Sequence, residues 1–466
     1  MTRAAPKPEF AATLTFVIGA VATEFLAHGD TPSALAHEYA IGVGISFLAS
    51  LLLDYRGNYR NLVRADVMAI SSLYFLTLFE FLAPQPQFDD LVTLDQTRSA
   101  LVACLWGFTG LAVGRHFAPS TPGSLTELLQ RPAPPRFLIT LFSIALFGGF
   151  LHMLLAVNFN VFELVDQFMA PRFSQPWGRG KFGDWKALLG ELGMILYLVP
   201  PLAGIVLAKR AEYSATHKLY ISAGFAFTLF YGFTSGTRNV IAAYLATFLV
   251  AYAFTSPPNR KRELIWVGGI TAALMLVATV VMLEFRNIGF RNYLQGYNEI
   301  RKSKEDANLF VDYNLYVIGK LTDIFPKHHD YLGLEIPYLA IIRPIPRAAW
   351  PGKPEGLSLS IEDAVGVEGL TLASSFVGEA YISGGNIGVL VAGVILASVA
   401  AWWNKLAHSD NSGFGNLVFA SGFFAMVISM RSLFVFTTAI LPTVAALVLG
   451  NWLIAKRRRP RTPPPT

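Results

Sequence analysis

Twelve stretches of this chain are apolar and at least about 18 residues long, enough to cross the hydrocarbon core of a bilayer as α-helices. They are 10–28, 34–53, 65–83, 97–114, 137–158, 187–208, 217–234, 238–255, 264–284, 387–404, 413–430 and 433–455. In hydrocarbon every backbone N–H and C=O needs an internal partner, so repeated spans of this length define an all-α, polytopic membrane protein. Composition agrees: 53% of the 466 residues are hydrophobic and only 15% charged, too few charges to cover a soluble surface. We read residues 1–466 as a single membrane domain, with 285–386 as a large loop or lid inserted between spans.

The basic residues orient these spans. Short loops on the cytoplasmic side of a membrane collect Lys and Arg. With both termini inside, 20 of the 37 basic residues fall on that side, among them Arg56, Arg60, Arg64, Arg115 and the Lys456–Arg461 tail. The tail reads as an anchor on anionic lipid, and nothing in the sequence calls for nucleic acid. Of the other 17, ten lie in 285–386, where long translocated segments escape the rule. Residues 10–27 follow Arg3 and Lys7 as a signal peptide would, but lack a small-residue cleavage site and precede further spans; we read an uncleaved first helix. The single cysteine, Cys104, lies inside a span, so neither a disulfide framework nor a cysteine-based metal site is expected.

Arginines kept on the outer side against this bias point to an anionic substrate handled there. Thr234-Ser235-Gly236-Thr237-Arg238 forms a tight outer turn before a span. Its small residues admit a ligand, and Arg238 offers a paired donor suited to phosphate. Arg286 and Arg291 follow directly on a span end, and Arg172 lies in a Pro- and Gly-rich outer segment. Four prolines between Arg343 and Pro354 predict a stiff extended arm, holding Arg343, Arg347 and Lys353 around Trp350. An aromatic ring among cations suits a sugar joined to a phosphate. Glu379, in Gly378-Glu379-Ala380-Tyr381 ahead of Gly384-Gly385, is the carboxylate best placed to meet that arm from a re-entrant or interfacial helix. Arg431 sits in a very short outer turn. Glu24, Glu38, Glu80, Glu191 and Glu284 fall toward outer helix ends and read as paired or solvated. Lys327-His328-His329-Asp330 lacks the spacing of a metal site. No metal and no cofactor is expected.

Taken in order, SGTR before a span, IPRAAWPGKP closing the long outer loop and GEAYISGGNIG leading into a late span resemble the Wzy-type oligosaccharide repeat-unit polymerases of O-antigen and exopolysaccharide synthesis. The resemblance covers residues from about 160 to 440. It implies a GT-C class glycosyltransferase in the bacterial inner membrane, its active site facing the periplasm. Such an enzyme transfers a growing glycan from undecaprenyl diphosphate onto the next lipid-linked repeat unit, alongside a flippase and a chain-length regulator. It implies that the family's arginine-rich site maps to Arg238, Arg343, Arg347 and Lys353, with Glu379 as acidic partner. Arg172, Arg286 and Arg431 align by position relative to the spans.

The chemistry is independent of the resemblance. Breaking an anomeric C–O–P bond builds negative charge on the departing diphosphate, which fixed guanidinium groups stabilise. The attacking sugar hydroxyl needs an orienting or basic group, for which Glu379 is the first choice and His328 and His152 the substitutes. An O-antigen ligase uses the same donor with a different acceptor. A lipid-linked oligosaccharide transporter predicts a cationic cavity within the bundle, and a passive scaffold predicts indifference to the arginines.

Overall fold

The computed structural model of the protein describes residues 7–131, 133–171, 174–177, 192–285, 288–296, 314–345, 349–354, 356–358, 374–407 and 413–458. These form helices and turns, with no strand among them. The helices are α1 (Phe10–Leu26), α2 (Pro32–Tyr55), α3 (Ala65–Thr77), α4 (Leu94–Gly114), α5 (Gly123–Gln130), α6 (Pro135–Ala156), α7 (Val161–Phe168), α8 (Val199–Ala208) and α9 (Ala215–Thr234). There follow α10 (Arg238–Thr255), α11 (Lys261–Phe285), α12 (Phe290–Leu294), α13 (Asn314–Ile324), α14 (Glu335–Ile342), α15 (Ser375–Lys405), α16 (Gly413–Ser429), α17 (Leu433–Ala439) and α18 (Leu441–Arg458). Among the described residues, six helical stretches are long and apolar enough to cross a membrane: α2, α4, α6, α10, α15 and Leu433–Leu453. Shorter apolar helices cover Phe10–Leu26, Ala65–Thr77, Gly193–Ala208 and Gly413–Ser429. The protein is an all-helical membrane protein.

Local chemistry sets several helix starts. Thr31 accepts from the Ala34 amide ahead of Pro32, whose fixed φ suits a first turn. Thr93 and Gln96 exchange hydrogen bonds in a capping box at α4. Asn160 takes the Phe162 and Glu163 amides, starting α7, which buries Leu164 and Phe168 and leaves Phe162 90% exposed.

Two large apolar clusters run through the described part of the bundle. One joins α1–α4 to α13 and to α15 as far as Ala397; the other joins α6, α8–α10, α16 and α18 with the end of α15. α15 lies along α4 at close range because glycines line the contact. A Cβ on Gly110 would stand 2.6 Å from the Leu390 carbonyl oxygen, and one on Gly114 only 2.4 Å from that of Val394. Small residues are what allow backbones to approach in a membrane, where no hydrophobic force drives helices together.

At one end of the bundle, charges are buried rather than solvated. Arg64, fully buried, bonds both Asp54 (Nη2–Oδ2 3.0 Å) and Asp66 (Nη2–Oδ2 3.0 Å). Arg115, 2% exposed, reaches the same Asp54 oxygen at 2.8 Å and the Thr13 hydroxyl at 2.8 Å. Asn404, near the end of α15, accepts from the Ala65 amide at 2.8 Å and donates to Asp66. Burial opposes the Arg64 charge, but Asp66 and Asp54 more than offset it and its pKa is raised. Arg64 and Arg115, assigned from the sequence to short cytoplasmic-side loops, are thus buried members of an ion-pair network. Asp54 bonds both guanidinium groups and Asp66 bonds Arg64, and desolvated guanidinium groups need such partners.

Asp54→Asn removes a counter-charge shared by two buried arginines. We expect a loss of about 3–5 kcal/mol, measured as a lower melting temperature of the purified protein. The partly exposed Lys209–Glu212 pair, with N and O 3.9 Å apart, is the control. Glu212→Gln should cost less than about 1 kcal/mol, and equal shifts for the two changes would show that the buried network contributes little.

Candidate functional site

The end of the bundle opposite Arg64 carries Glu379, and a broken helix places it there. α15 is helical over 375–383 and again from 386, with Gly384 (φ −172°) and Gly385 (φ 62°) between. The positive φ is costly for any residue but glycine. Space is also short, since a Cβ on Gly385 would sit 2.8 Å from the Tyr331 hydroxyl. The break exposes carbonyls that a continuous helix would satisfy. Leu332 N–H donates to Ile382 O at 2.8 Å, and Gly333 N–H to Ser383 O at 3.0 Å. The loop 331–333, following α13, thus fastens the end of the short half-helix.

The other end of that half-helix packs against the turn after α16, with Phe376 N–H donating to Met430 O at 3.0 Å. Glu379, 6% exposed, accepts the Leu433 amide at 2.6 Å, and the Ser432 hydroxyl and Phe434 amide also face its carboxylate. Arg343, exposed at the end of α14, is near enough to act on Glu379 electrostatically. Its guanidinium carbon lies 5.9 Å from the Phe434 ring centre. The Thr437 hydroxyl donates to Ala340 O at 2.6 Å and holds α14 on α17. Arg431, half-buried, belongs to the same turn as the residues that grip Glu379.

Lys353 does not extend along a stiff arm. Its ammonium group donates to the carbonyls of Arg343 (2.8 Å) and Ile345 (2.9 Å), so the segment after α14 doubles back. The free carbonyls at a helix C-terminus attract such a cation, and this outweighs the extension favoured by the prolines. Trp350 is half-buried nearby in the chain.

Arg238 and Arg291 gather elsewhere at this end. Gly236 (φ 64°) makes the turn before α10, and Ser235 Oγ accepts the Thr237 amide at 3.2 Å. Arg238 opens α10 and is half-buried. Arg291 forms an ion pair with Asp166 of α7, and its amide donates to Met169 O at 3.0 Å. Arg172, Arg286 and Arg347 lie outside the described residues.

The glutamates expected at helix ends are largely engaged. Tyr39 donates to Glu24, the His28 and Gly29 amides donate to Glu38, and Tyr293 bonds Glu284. Lys327 bonds Asp323 at 2.9 Å and Gln96 bonds it at 3.1 Å, holding that carboxyl below its usual range. Among the described residues no group of three His, Cys, Asp or Glu side chains is placed to hold a metal ion. His152 is half-buried, and its Nδ1 has no hydrogen-bond partner among the described residues.

Sequence reading missed Tyr331, Phe434 and Asp166. Only the Gly384-Gly385 pair hinted at a break, and nothing local said which loop would pack into it. No protein-family model matches the chain, and neither the curated proteins nor the solved structures gave a match.

The break gives a prediction. Gly385→Val combines a strained φ with a collision against Tyr331, and we expect it to release the half-helix. Limited proteolysis should then cut near 374–386 faster than in wild type, whereas Gly356→Val, with nothing within 4 Å, should leave the pattern unchanged. Identical digestion of both variants would argue against the latch.

Proposed function

We propose that this protein is a polymerase that joins undecaprenyl-diphosphate-linked oligosaccharide repeat units at the periplasmic face of the bacterial inner membrane. In this reading both termini are cytoplasmic and the chain crosses the membrane about twelve times. The Arg64 end faces the cytoplasm, and 285–386 forms a periplasmic lid. The observation that carries the proposal is the junction of Glu379, Arg343 and the 431–434 turn at a helix break. Irregular backbone at such a place in a membrane protein is tolerated where it lines a site.

Arg238, Arg343 and Arg431 stabilise the diphosphate as the glycosidic C–O bond breaks, together with Arg347, Arg172 and Arg286 from the segments read in the sequence. Lys353 contributes by folding the segment that carries Arg343. Arg291, paired with Asp166, fixes α12 against α7. Glu379 is buried among residues 432–434, so we assign it as a positioning residue acting through the turn that bears Arg431. The SGTR, IPRAAWPGKP and GEAYISGGNIG segments supply the resemblance that selects polymerisation from the reactions open to such a site. Ligase and transporter activities are the competing outcomes.

The test is reconstitution of the purified protein with its lipid-diphosphate-linked repeat unit, with EDTA present, followed by separation of products by size. We expect a glycan ladder, lowered about 100-fold by Arg238→Ala or Arg343→Ala, as for loss of one transition-state donor. A ladder unaffected by both changes would discard these residues. Substrate crossing the bilayer without chain growth would mean transport, and transfer of preformed chains to lipid A-core would mean ligation.

Glu379 has its own expectation. Glu379→Gln keeps an acceptor for the Leu433 amide and should retain most of kcat with an unshifted pH profile, whereas Glu379→Ala should lose most of it. Equal collapse of both, with loss of the acidic limb of the profile, would make the carboxylate itself the base.

A further inference from the structure

The short helix α14 is apolar on every side. Over Glu335–Ile342 its one charged side chain is Glu335, in the first turn. Ile336, Leu339, Ala340 and Ile342 are buried, and Ile336 joins Val317, Leu321, Phe325 and Ile382 in an apolar cluster. The opposite face does not turn polar. Leu334, Tyr338 and Ile341 fall at i, i+4 and i+7, one helix face, and stand 81%, 47% and 70% exposed. A surface helix in water carries polar residues there, whereas one that is hydrophobic all round sits in a protein core or in a membrane.

The backbone at both ends of α14 is paired within the protein. At its start, Glu335 N–H donates to Leu332 O at 3.2 Å, Pro337 has no N–H, and Tyr338 N–H donates to Leu334 O at 3.0 Å. The Ser358 hydroxyl donates to the Glu335 carboxylate at 2.7 Å. At its other end, Leu339 O and Ile342 O accept the amides of Arg343 and Ile345, each at 3.0 Å. Ala340 O accepts the Thr437 hydroxyl, and Arg343 O accepts the Lys353 ammonium group. Helix ends in water can leave such groups to solvent; in contact with hydrocarbon they have to be paired.

The bond from Thr437 also gives the depth. Thr437 is the fifth residue of Leu433–Leu453, a stretch long and apolar enough to cross a membrane. At 1.5 Å per residue, the contact with α14 lies about 6 Å in from the end of that span. An interfacial helix buries its apolar face about 5–10 Å into the boundary between head groups and acyl chains. Charge stands at both ends of α14, Glu335 at one and Arg343 with Lys353 at the other, which suits a helix lying along the surface rather than across the bilayer.

We propose that α14 is an interfacial helix in the leaflet at the Glu379 end, with Leu334, Tyr338 and Ile341 seated among the acyl chains. The part of 285–386 that carries Arg343 is then held in the membrane surface instead of standing above it, with Arg343 at the level of the lipid head groups. This rests on Leu433–Leu453 crossing the bilayer and on no property of the polymerase reading.

The experiment uses the full chain in nanodiscs of phosphatidylcholine with a diazirine in its acyl chains, and mass spectrometry locates the adducts after illumination. Leu334, Tyr338 and Ile341 should be labelled, as should Phe147, which is 61% exposed in the middle of α6; Ile336 and Leu339 should not. Spin labels on Leu334→Cys, Ile341→Cys and, in the loop between α8 and α9, Glu212→Cys, each with Cys104→Ala, separate the alternatives. The ratio of oxygen collisions to those of a water-soluble nickel chelate should be about tenfold higher at 334 and 341 than at 212, as for immersion of about 5–10 Å. Absence of adducts over 334–341, with the chelate reaching 334 and 341 as freely as 212, puts this face in water and overturns the proposal. Absence of adducts with neither reagent reaching them puts protein over the face, a second copy of the chain among the choices, and overturns it too. The adducts are read on the unmodified protein, so a misfolded cysteine variant does not remove the test. Either failure leaves the glycan-ladder assay, and the polymerase reading it tests, untouched.

Discussion

The buried charge network around Arg64 fixes the register of half the bundle. Asp54 ends α2, Arg64 and Asp66 begin α3, Arg115 follows α4, Thr13 belongs to α1 and Asn404 to α15. Two guanidinium groups against two carboxylates leave no net charge, which is what a desolvated cluster requires. Each partner has a fixed geometry, so five helices are set in depth and rotation at once. A hydrophobic contact could slide by a turn at little cost; a forked guanidinium between two carboxylates cannot.

The consequence is felt at the other end of α15. Asn404 is held in the network, and glycines on α4 keep the two helices in close contact along their length. With that rod fixed, the break at Gly384-Gly385 can set a second direction for residues 375–383. The half-helix is then tied from both sides, by the 331–333 amides at one end and by the 430–434 turn at the other. Glu379 is placed by tertiary contacts from three separate parts of the sequence.

Much of this was legible in order but not in partnership. Among the described residues the apolar runs correspond to helices or paired helical pieces. The Gly384-Gly385 pair marked an irregular point, and Glu379 was singled out beside it. The proline-rich segment was misread as extended, because the pull of free carbonyls on Lys353 depends on where α14 ends. Arg291 looked like a ligand for phosphate until Asp166, 125 positions earlier, was found beside it.

The sequence by itself determined that this chain is helical and belongs in a membrane. Long apolar runs leave the backbone no other way to satisfy its polar groups in hydrocarbon, and that argument needs no neighbours. Only the tertiary structure decided which cations are buried counter-ions and which stand at a site. Arg64, Arg115 and Arg343 are the same residue type; the sequence places the first two beside the ends of apolar runs and the third in the long 285–386 loop. Desolvation separates them: Arg64 and Arg115 are enclosed with the carboxylates of Asp54 and Asp66, while Arg343 remains exposed beside Phe434 and Glu379. A charge's role in a membrane protein depends on what surrounds it in three dimensions.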